Sequence, residues 1–153
     1  MNLLELFVLQ HIQVSELKAE LVKISSESGT QEAKVELNLT PRAVPTDSST
    51  ALPAYQVSAR LACKAGGEQP GPVFTAGVGF EAIYQQVRGE PVDLAKFTSN
   101  HASLTRQLYP LLQYELRSLL AKLGLEQIHL PFDLTARTKD RELQVVQVSG
   151  AVH

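Results

Sequence analysis

The sequence predicts an α+β fold in which a four-stranded antiparallel meander sheet is covered by one long helix of the C-terminal half. Apolar and polar residues alternate in four successive stretches of the first half, as expected of half-buried strands. The connections between these stretches are too short for parallel crossovers, which favours antiparallel neighbours. A leucine-rich stretch at helical spacing, residues 104–123, then supplies the cover that the sheet needs.

Length and composition narrow the class of protein. The chain has 153 residues, which suits a single domain over 1–153 with its own core. Its formal net charge of −2, with both signs mixed along the chain, gives no electrostatic footprint for nucleic acid. The start lacks the basic region and cleavage site of a signal peptide, and no apolar run approaches the ~18 residues of a membrane span. We therefore expect a soluble, cytoplasmic protein without membrane insertion.

The first two strands differ in how clearly they can be read. Residues 2–12 fit a helix or a strand equally well, and the sequence leaves them undecided. From Ile12 the apolar residues alternate, with a phase change after Val14 that predicts a bulge. The second strand is the clearest, because residues 33–39 alternate strictly until Pro41.

Two further strands follow a long connection. Residues 41–53 are rich in Pro, Ser and Thr, which predicts a surface loop. The third strand, 55–64, places Cys63 in its apolar phase. Glycine and proline crowd residues 65–72 and predict a hairpin loop before the fourth strand, 74–84.

The helix over residues 104–123 has more apolar surface than one sheet needs. Residues 98–100 supply candidate N-caps, and Gly124 is a plausible stop. Eight leucines cover about half of the helix circumference, wider than the ~100° stripe of one core face; they are Leu104, Leu108, Leu111, Leu112, Leu116, Leu119, Leu120 and Leu123. The excess favours a second apolar partner, either another subunit or a ligand peptide.

The C-terminal region continues with extended segments. Residues 128–134 alternate around Pro131, which confines them to an edge or irregular strand. Residues 135–153 form a separate tail, in which 143–148 have strand propensity and are expected to pair with a sheet edge or with a partner chain.

No catalytic or metal-binding constellation stands out. The four histidines lie far apart, with no pair at i,i+4 and no cysteine cluster, so no metal spacing exists. Gly77-Val78-Gly79 fails the dinucleotide pattern, and Cys63 fits a buried, inert thiol better than a nucleophile. We therefore predict no cofactor, no metal and no enzymatic activity, but function through apolar surface.

Three stretches of the sequence resemble the SecB-type export chaperones. The strand from Phe74 to Tyr84 is similar to a family strand that begins at a Phe and ends in an Ile-Phe step, here Ile83-Tyr84. In the helix, Leu108-Tyr109-Pro110 is similar to the family's Leu-Phe-Pro, and residues 117–124 are similar to a helix that ends before Gly. Residues 128–132 are similar to its Leu-Asn-Leu-X-Pro segment, with the proline displaced.

The resemblance implies a homotetramer, built as a dimer of dimers through sheet edges and helices, that binds unfolded polypeptide or preproteins without ATP. In that family, client segments lie in apolar grooves between the sheet and the helix layer. Core packing is the competing interpretation for each candidate client contact that the resemblance implies, namely Phe74, Val78, Phe80, Ile83, Tyr84, Tyr109, Leu112 and Leu116.

The chain also departs from the family's pattern. Gln113-Tyr114-Glu115 replaces its Arg-Glu pair, the strand-like residues 143–148 stand in place of its last helix, and its Cys-rich zinc tail is absent. The missing tail puts docking to the translocase motor in doubt. Two functions follow: a holdase for extended apolar segments, as in protein export, or an oligomeric structural or adaptor module, for example in a toxin–antitoxin or mobile-element system.

Overall fold

The structure, a computed structural model, describes residues 2–23, 30–45, 51–66, 72–125 and 142–149, with the backbone alone for 30–32 and 142–149. Three helices and five strands are present in this part of the chain. In order they are α1 (Leu3–Leu6), β1 (Phe7–Lys23), β2 (Thr30–Ala43), β3 (Ala54–Ala65), β4 (Val73–Gln86), α2 (Leu94–Thr98), α3 (His101–Lys122) and β5 (Glu142–Ser149).

The strands form one antiparallel sheet in the order β1-β4-β3-β2-β5. The predicted four-stranded antiparallel sheet under one long helix is therefore confirmed. Its order differs from that of a simple meander, because β1 lies beside β4 and not beside β2. Strands β1 and β4 are separated in the chain by β2 and β3. Their pairing is a long-range contact, which the alternation pattern within each strand does not reveal.

The N-terminal stretch that the sequence left undecided contains both kinds of structure. Residues 3–6 form the single turn of α1, and β1 begins at Phe7. The predicted bulge is confirmed, because the register with β4 shifts between Val14 and Glu16; it also shifts between Leu9 and His11 and again between Leu21 and Lys23.

The predicted loop over 41–53 begins too early. Residues 41–43 continue β2, and Pro41 pairs in register with Val57 of β3. Proline is tolerated at this point because the other side of β2 carries β5 only as far as Leu37. Residues 46–50 of that loop, most of the predicted hairpin loop and the predicted extended segment 128–134 lie outside the described residues.

Helix α3 begins three residues before the predicted range. Asn100 is its N-cap residue, but the Asn100 side chain makes no capping bond and instead donates to the carbonyl of Lys96 in α2. The preceding helix α2 was not predicted; its N-cap Asp93 accepts from the Lys96 amide at 2.8 Å. The predicted stop is confirmed, since Gly124 has φ 77°, a conformation that favours glycine at a helix end.

The core lies between α3 and one face of the sheet. Five leucines of α3 at spacings of four are buried, Leu104, Leu108, Leu112, Leu116 and Leu120, and they pack over the buried face of β3 and β4. An aromatic cluster closes one end of the core. The ring centroid of Phe97 lies 4.6 Å from that of Tyr55 and 5.1 Å from that of Phe7. Burial of each of these leucine side chains contributes about 1.5–3 kcal/mol.

The opposite face of the sheet is polar. Glu81 of β4 accepts hydrogen bonds from the Gln56 amide at 2.7 Å and from the Ser58 hydroxyl at 2.6 Å, and Arg42 lies 3.7 Å from the same carboxylate. Arg60 of β3 and Glu16 of β1 form an ion pair across the intervening strand β4. Such a half-exposed face suits contact with water, so the fold places its apolar chemistry on the helix side.

Candidate functional site

The eight sequence-predicted client contacts do not form one exposed surface in the described structure. Six of them are buried in the core under α3, namely Phe74, Val78, Tyr84, Tyr109, Leu112 and Leu116. Ile83 is half-buried and lies on the polar face of the sheet, where it pairs with His11 of β1. Phe80 alone lines an open groove. Client contact by these residues stays a prediction, and in this protomer most of them form the layer beneath the groove.

The groove runs between the edge strand β1 and helix α3. It encloses about 250 Å³ and is predominantly apolar. Its lining comes from three elements: Ile12 and Val14 of β1, Phe80 of β4, and Leu111, Tyr114 and Glu115 of α3.

Strand β1 contributes one wall because Ile12, Val14 and Leu17 face the helix side and stay exposed. Val14 pairs with the buried Phe80 and Leu17 pairs with the buried Val78, so all four side chains lie on the same face of the sheet. Val14 is nevertheless 43% exposed and Leu17 is 53% exposed. Without a bulge, Leu17 would lie on the opposite face from Val14, because the two are three residues apart. The bulge after Val14 adds one residue and so places Leu17 on the helix side as well. Ile12, Val14 and Leu17 thus form a continuous apolar strip.

Helix α3 contributes the other wall through residues beside its buried stripe. Leu111 and Tyr114 are three residues apart, which places them on the same side of the helix. Leu111 is 42% exposed and Tyr114 is 73% exposed, while their neighbour Leu112 is buried. Leu119 and Leu123 are half-buried against the core. The wide leucine arc is therefore confirmed as more than a core stripe, with its surplus at Leu111 beside the groove.

The electrostatics of the groove are simple. Glu115 is the one charged residue in its lining, and the Tyr114 hydroxyl is a second polar group there. Large apolar side chains with few polar groups are typical of sites that hold a ligand by burial and orient it with one or two polar contacts. The arrangement can remove an apolar side chain from water, and it brings no acid–base pair together.

The resolved pKa shifts fall on groups away from the groove. Burial raises the pKa of the Cys63 thiol to about 12, in agreement with the predicted inert thiol. Burial also raises the pKa of Tyr84, whose hydroxyl donates to the Gln107 side chain at 2.9 Å. The pKa of Tyr55 is raised by burial and, to a smaller extent, by Asp93; its hydroxyl donates to the Val92 carbonyl. All three groups are held neutral.

Within the described ranges, no three His, Cys, Asp or Glu residues lie close enough to hold a metal ion. In the same part of the chain, no helix has the length and apolar character of a membrane span.

Sequence reasoning missed the β1 wall and Tyr114. Ile12 and Val14 were recognised as strand residues, but their exposure depends on where α3 lies over the sheet. Tyr114 carried a usable signal, since it lies three residues after Leu111 on the side of the leucine arc that exceeds one core face.

Comparison with solved structures shows a likeness of fold. No model of a protein family matches the chain, and no curated protein matches it. Among solved structures, it is similar to a SecB-like chaperone from Mycobacterium tuberculosis in complex with a ChAD peptide from the HigA1 antitoxin. The two share 21% identity and a TM-score of 0.63, over 86% of this chain and 93% of that chain. With the sheet order β1-β4-β3-β2 and α3 packed upon it, the chain has a SecB-like α+β fold.

Proposed function

We propose that this protein is an ATP-independent chaperone of the holdase type, which binds extended apolar segments of unfolded polypeptides in the groove between β1 and α3. The observation that carries the proposal is the exposure of Val14, Leu111 and Tyr114 around one groove. Exposed apolar surfaces that converge on one concavity are typical of protein-binding sites.

The chemistry of the groove suits clients of varied sequence. Burial of an apolar client side chain contributes about 1.5–3 kcal/mol, so two side chains in one groove contribute roughly 3–6 kcal/mol before ordering costs. This is weak binding, and it depends on apolar area rather than on a fixed pattern of hydrogen bonds. A holdase needs both properties, because it must accept many clients and release them without an energy source.

Several grooves acting on one chain would overcome the weakness of each. We propose a homotetramer, a dimer of dimers, in which grooves of different protomers bind successive segments of one client. Linked sites raise the overall affinity by two to four orders of magnitude when the client can span them. Preproteins held in the cytoplasm before export are one class of client long enough to do so.

Within the groove, Phe80 is proposed to contact the client directly, together with Ile12, Val14, Leu111 and Tyr114. Glu115 at the rim favours segments in which a basic residue flanks the apolar ones. The six buried candidates pack between the helix and the sheet beneath this surface.

A matched pair of variants on β1 tests the proposal. Val14→Glu places a charge in the groove, whereas Val8→Glu makes the same change at a residue that is 50% exposed and pairs with Gln85 on the polar face. Light scattering would follow the aggregation of a denatured client at equimolar protein. We expect suppression by the wild type and by Val8→Glu, and at least a tenfold weaker effect of Val14→Glu. No suppression by the folded wild type, or equal activity of both variants, would contradict the proposal.

A second candidate is a chaperone or adaptor dedicated to one partner. It is favoured by the similar solved structure, which contains a peptide from an antitoxin. The two candidates differ in breadth: a general holdase suppresses the aggregation of unrelated clients with comparable efficiency, whereas a dedicated protein protects one partner alone. Assays with three unrelated denatured clients therefore separate them.

A further inference from the structure

The second edge of the sheet is occupied by the chain's own C-terminal segment. Strand β5 pairs antiparallel with β2 over eight residue pairs, from Thr30–Ser149 to Leu37–Glu142. Among the described strands, β5 pairs with no other. Its attachment to the sheet therefore rests on a single ladder.

The first part of β2 depends on β5 in turn. The register of β2 with β3 begins at Lys34, so residues 30–33 pair with β5 and have no β3 partner in that ladder. Segments with few neighbours open at a lower free energy than core strands do. Ala33 is buried in the core, so the local unit that can open while β3 and β4 stay paired consists of residues 30–32 and β5.

The edge that β5 covers is also limited in length. Beyond Leu37, β2 continues to Ala43 without β5, and Pro41 lies in this remainder. Proline lacks the amide that a further strand requires, so it blocks strand addition near that end. Among the described residues, strand pairing along this edge of β2 is therefore seen only over the stretch that β5 occupies.

From these three observations we propose that the β2 edge, residues 30–37, is a strand-acceptor site and that β5 is its displaceable resident. When β5 opens, the edge binds an extended segment of another polypeptide as an antiparallel strand. Pairing through backbone hydrogen bonds tolerates varied sequences. The proposal rests on the proposed function for its class of ligand, but it concerns a second site at the opposite edge of the sheet from the groove.

A synthetic peptide of residues 142–149 is the direct probe. Successive backbone amides of a strand point to opposite sides, so either Val145 or Val146 directs its amide towards β2. The full-length double variant Val145→Pro/Val146→Pro therefore loses that donor in either case and releases β5. By fluorescence anisotropy, we expect the labelled peptide to bind the double variant at least tenfold more tightly than it binds the wild type. A peptide carrying the same two prolines is the control, and it should not bind.

Two results in the peptide assay would overturn the proposal. One is a double variant that keeps a cooperative thermal transition but does not bind the peptide. The other is equal binding of the proline peptide, because that binding would not be strand pairing. To separate this site from the groove, the same assay is repeated with Val14→Glu added. We expect unchanged peptide affinity, even where holdase activity is lost.

Hydrogen exchange on the wild-type chain tests the proposal without any substitution. Amides of residues 30–32 and 142–149 should exchange together, at least tenfold faster than the paired amides of β3 and β4. If β5 instead exchanges as slowly as those central strands, it opens only on global unfolding. That result would exclude a displaceable strand, whatever the double variant does.

Discussion

Strands β1 and β4 are neighbours with the same apolar alternation on the same face of one sheet, yet they have opposite environments. Phe80 and Val78 of β4 are buried under α3, while their cross-strand partners Val14 and Leu17 of β1 are exposed. The difference comes from the position of α3, whose buried leucines pack over β3 and β4 and leave Val14 and Leu17 of β1 exposed. An apolar strand face therefore becomes core or exposed surface according to where the helix layer ends.

Helix α3 allows the sharpest test of this difference, because Leu112 and Leu111 are adjacent and lie on its covered and uncovered sides. Leu112→Ala creates a cavity in the core and should lower the free energy of unfolding by about 3 kcal/mol. Leu111→Ala removes a partly exposed side chain and should cost less than about 1 kcal/mol. Urea denaturation followed by circular dichroism measures both. Similar losses for the two variants would show that Leu111 is also core.

The packing of β1 against β4 can be tested at two glycines of β4. A Cβ atom at Gly79 would lie 3.0 Å from the hydroxyl of the bulge residue Ser15 and 3.3 Å from the Cβ of Glu16. At Gly77 the nearest such contact is an ordinary 3.8 Å. Gly79→Ala should therefore lower the free energy of unfolding by roughly 1–2 kcal/mol through overpacking.

Gly77→Ala is the matched control for this contact, and its free energy of unfolding should stay within about 0.5 kcal/mol of the wild type. Because the strain of Gly79→Ala falls on β1, the β1 amides should also exchange faster in that variant. A Gly79→Ala protein as stable as Gly77→Ala would show that β1 does not pack closely against β4.

The covered region makes a further prediction through Cys63. The folded pKa of this thiol is about 12, against its ordinary value of 9.0, so burial holds the neutral form. The unfolded chain loses this proton at a lower pH than the folded chain does, and stability must fall as the pH rises between the two values. From pH 9 to pH 10 the loss should be about 1 kcal/mol greater in the wild type than in Cys63→Ala.

Parallel urea titrations of the wild type and Cys63→Ala at pH 9 and pH 10 measure this difference. Native Cys63 should also react slowly with a thiol reagent and become reactive in denaturant. Identical pH dependence in the two proteins would mean that the thiol is open to water.

Local patterns were sufficient to predict the strands and the long helix. Strict alternation located β2 to β4, the phase change after Val14 indicated the bulge, and Gly124 marked the end of α3. These features depend on backbone conformation and on the apolar face of a single element, so a few neighbouring residues are enough to indicate each of them. The pairing of residues 143–148 with a sheet edge was one of the two stated alternatives, and it is confirmed by the ladder between β5 and β2.

Arrangement in space could not be predicted in the same way. The place of β1 beside β4 and the extent of the sheet that α3 covers depend on packing between distant segments. The eight candidate residues that the resemblance implied are apolar or aromatic residues of one strand and one helix, and core and groove residues share that character. Phe80 illustrates the limit, since it is buried and still lines the groove, whereas the more exposed Tyr114 was passed over.

Methyl chemical shifts of the wild-type protein test the central claim most directly. An unfolded apolar peptide is titrated in while the methyl signals of Ile12, Val14 and Leu111 in the groove are compared with those of Val8 on the opposite face and Leu39 in the core. The account predicts saturable shifts for the three groove residues and little change for the other two. Shifts confined to Val8, or none at all while the peptide binds, would contradict a client groove between β1 and α3.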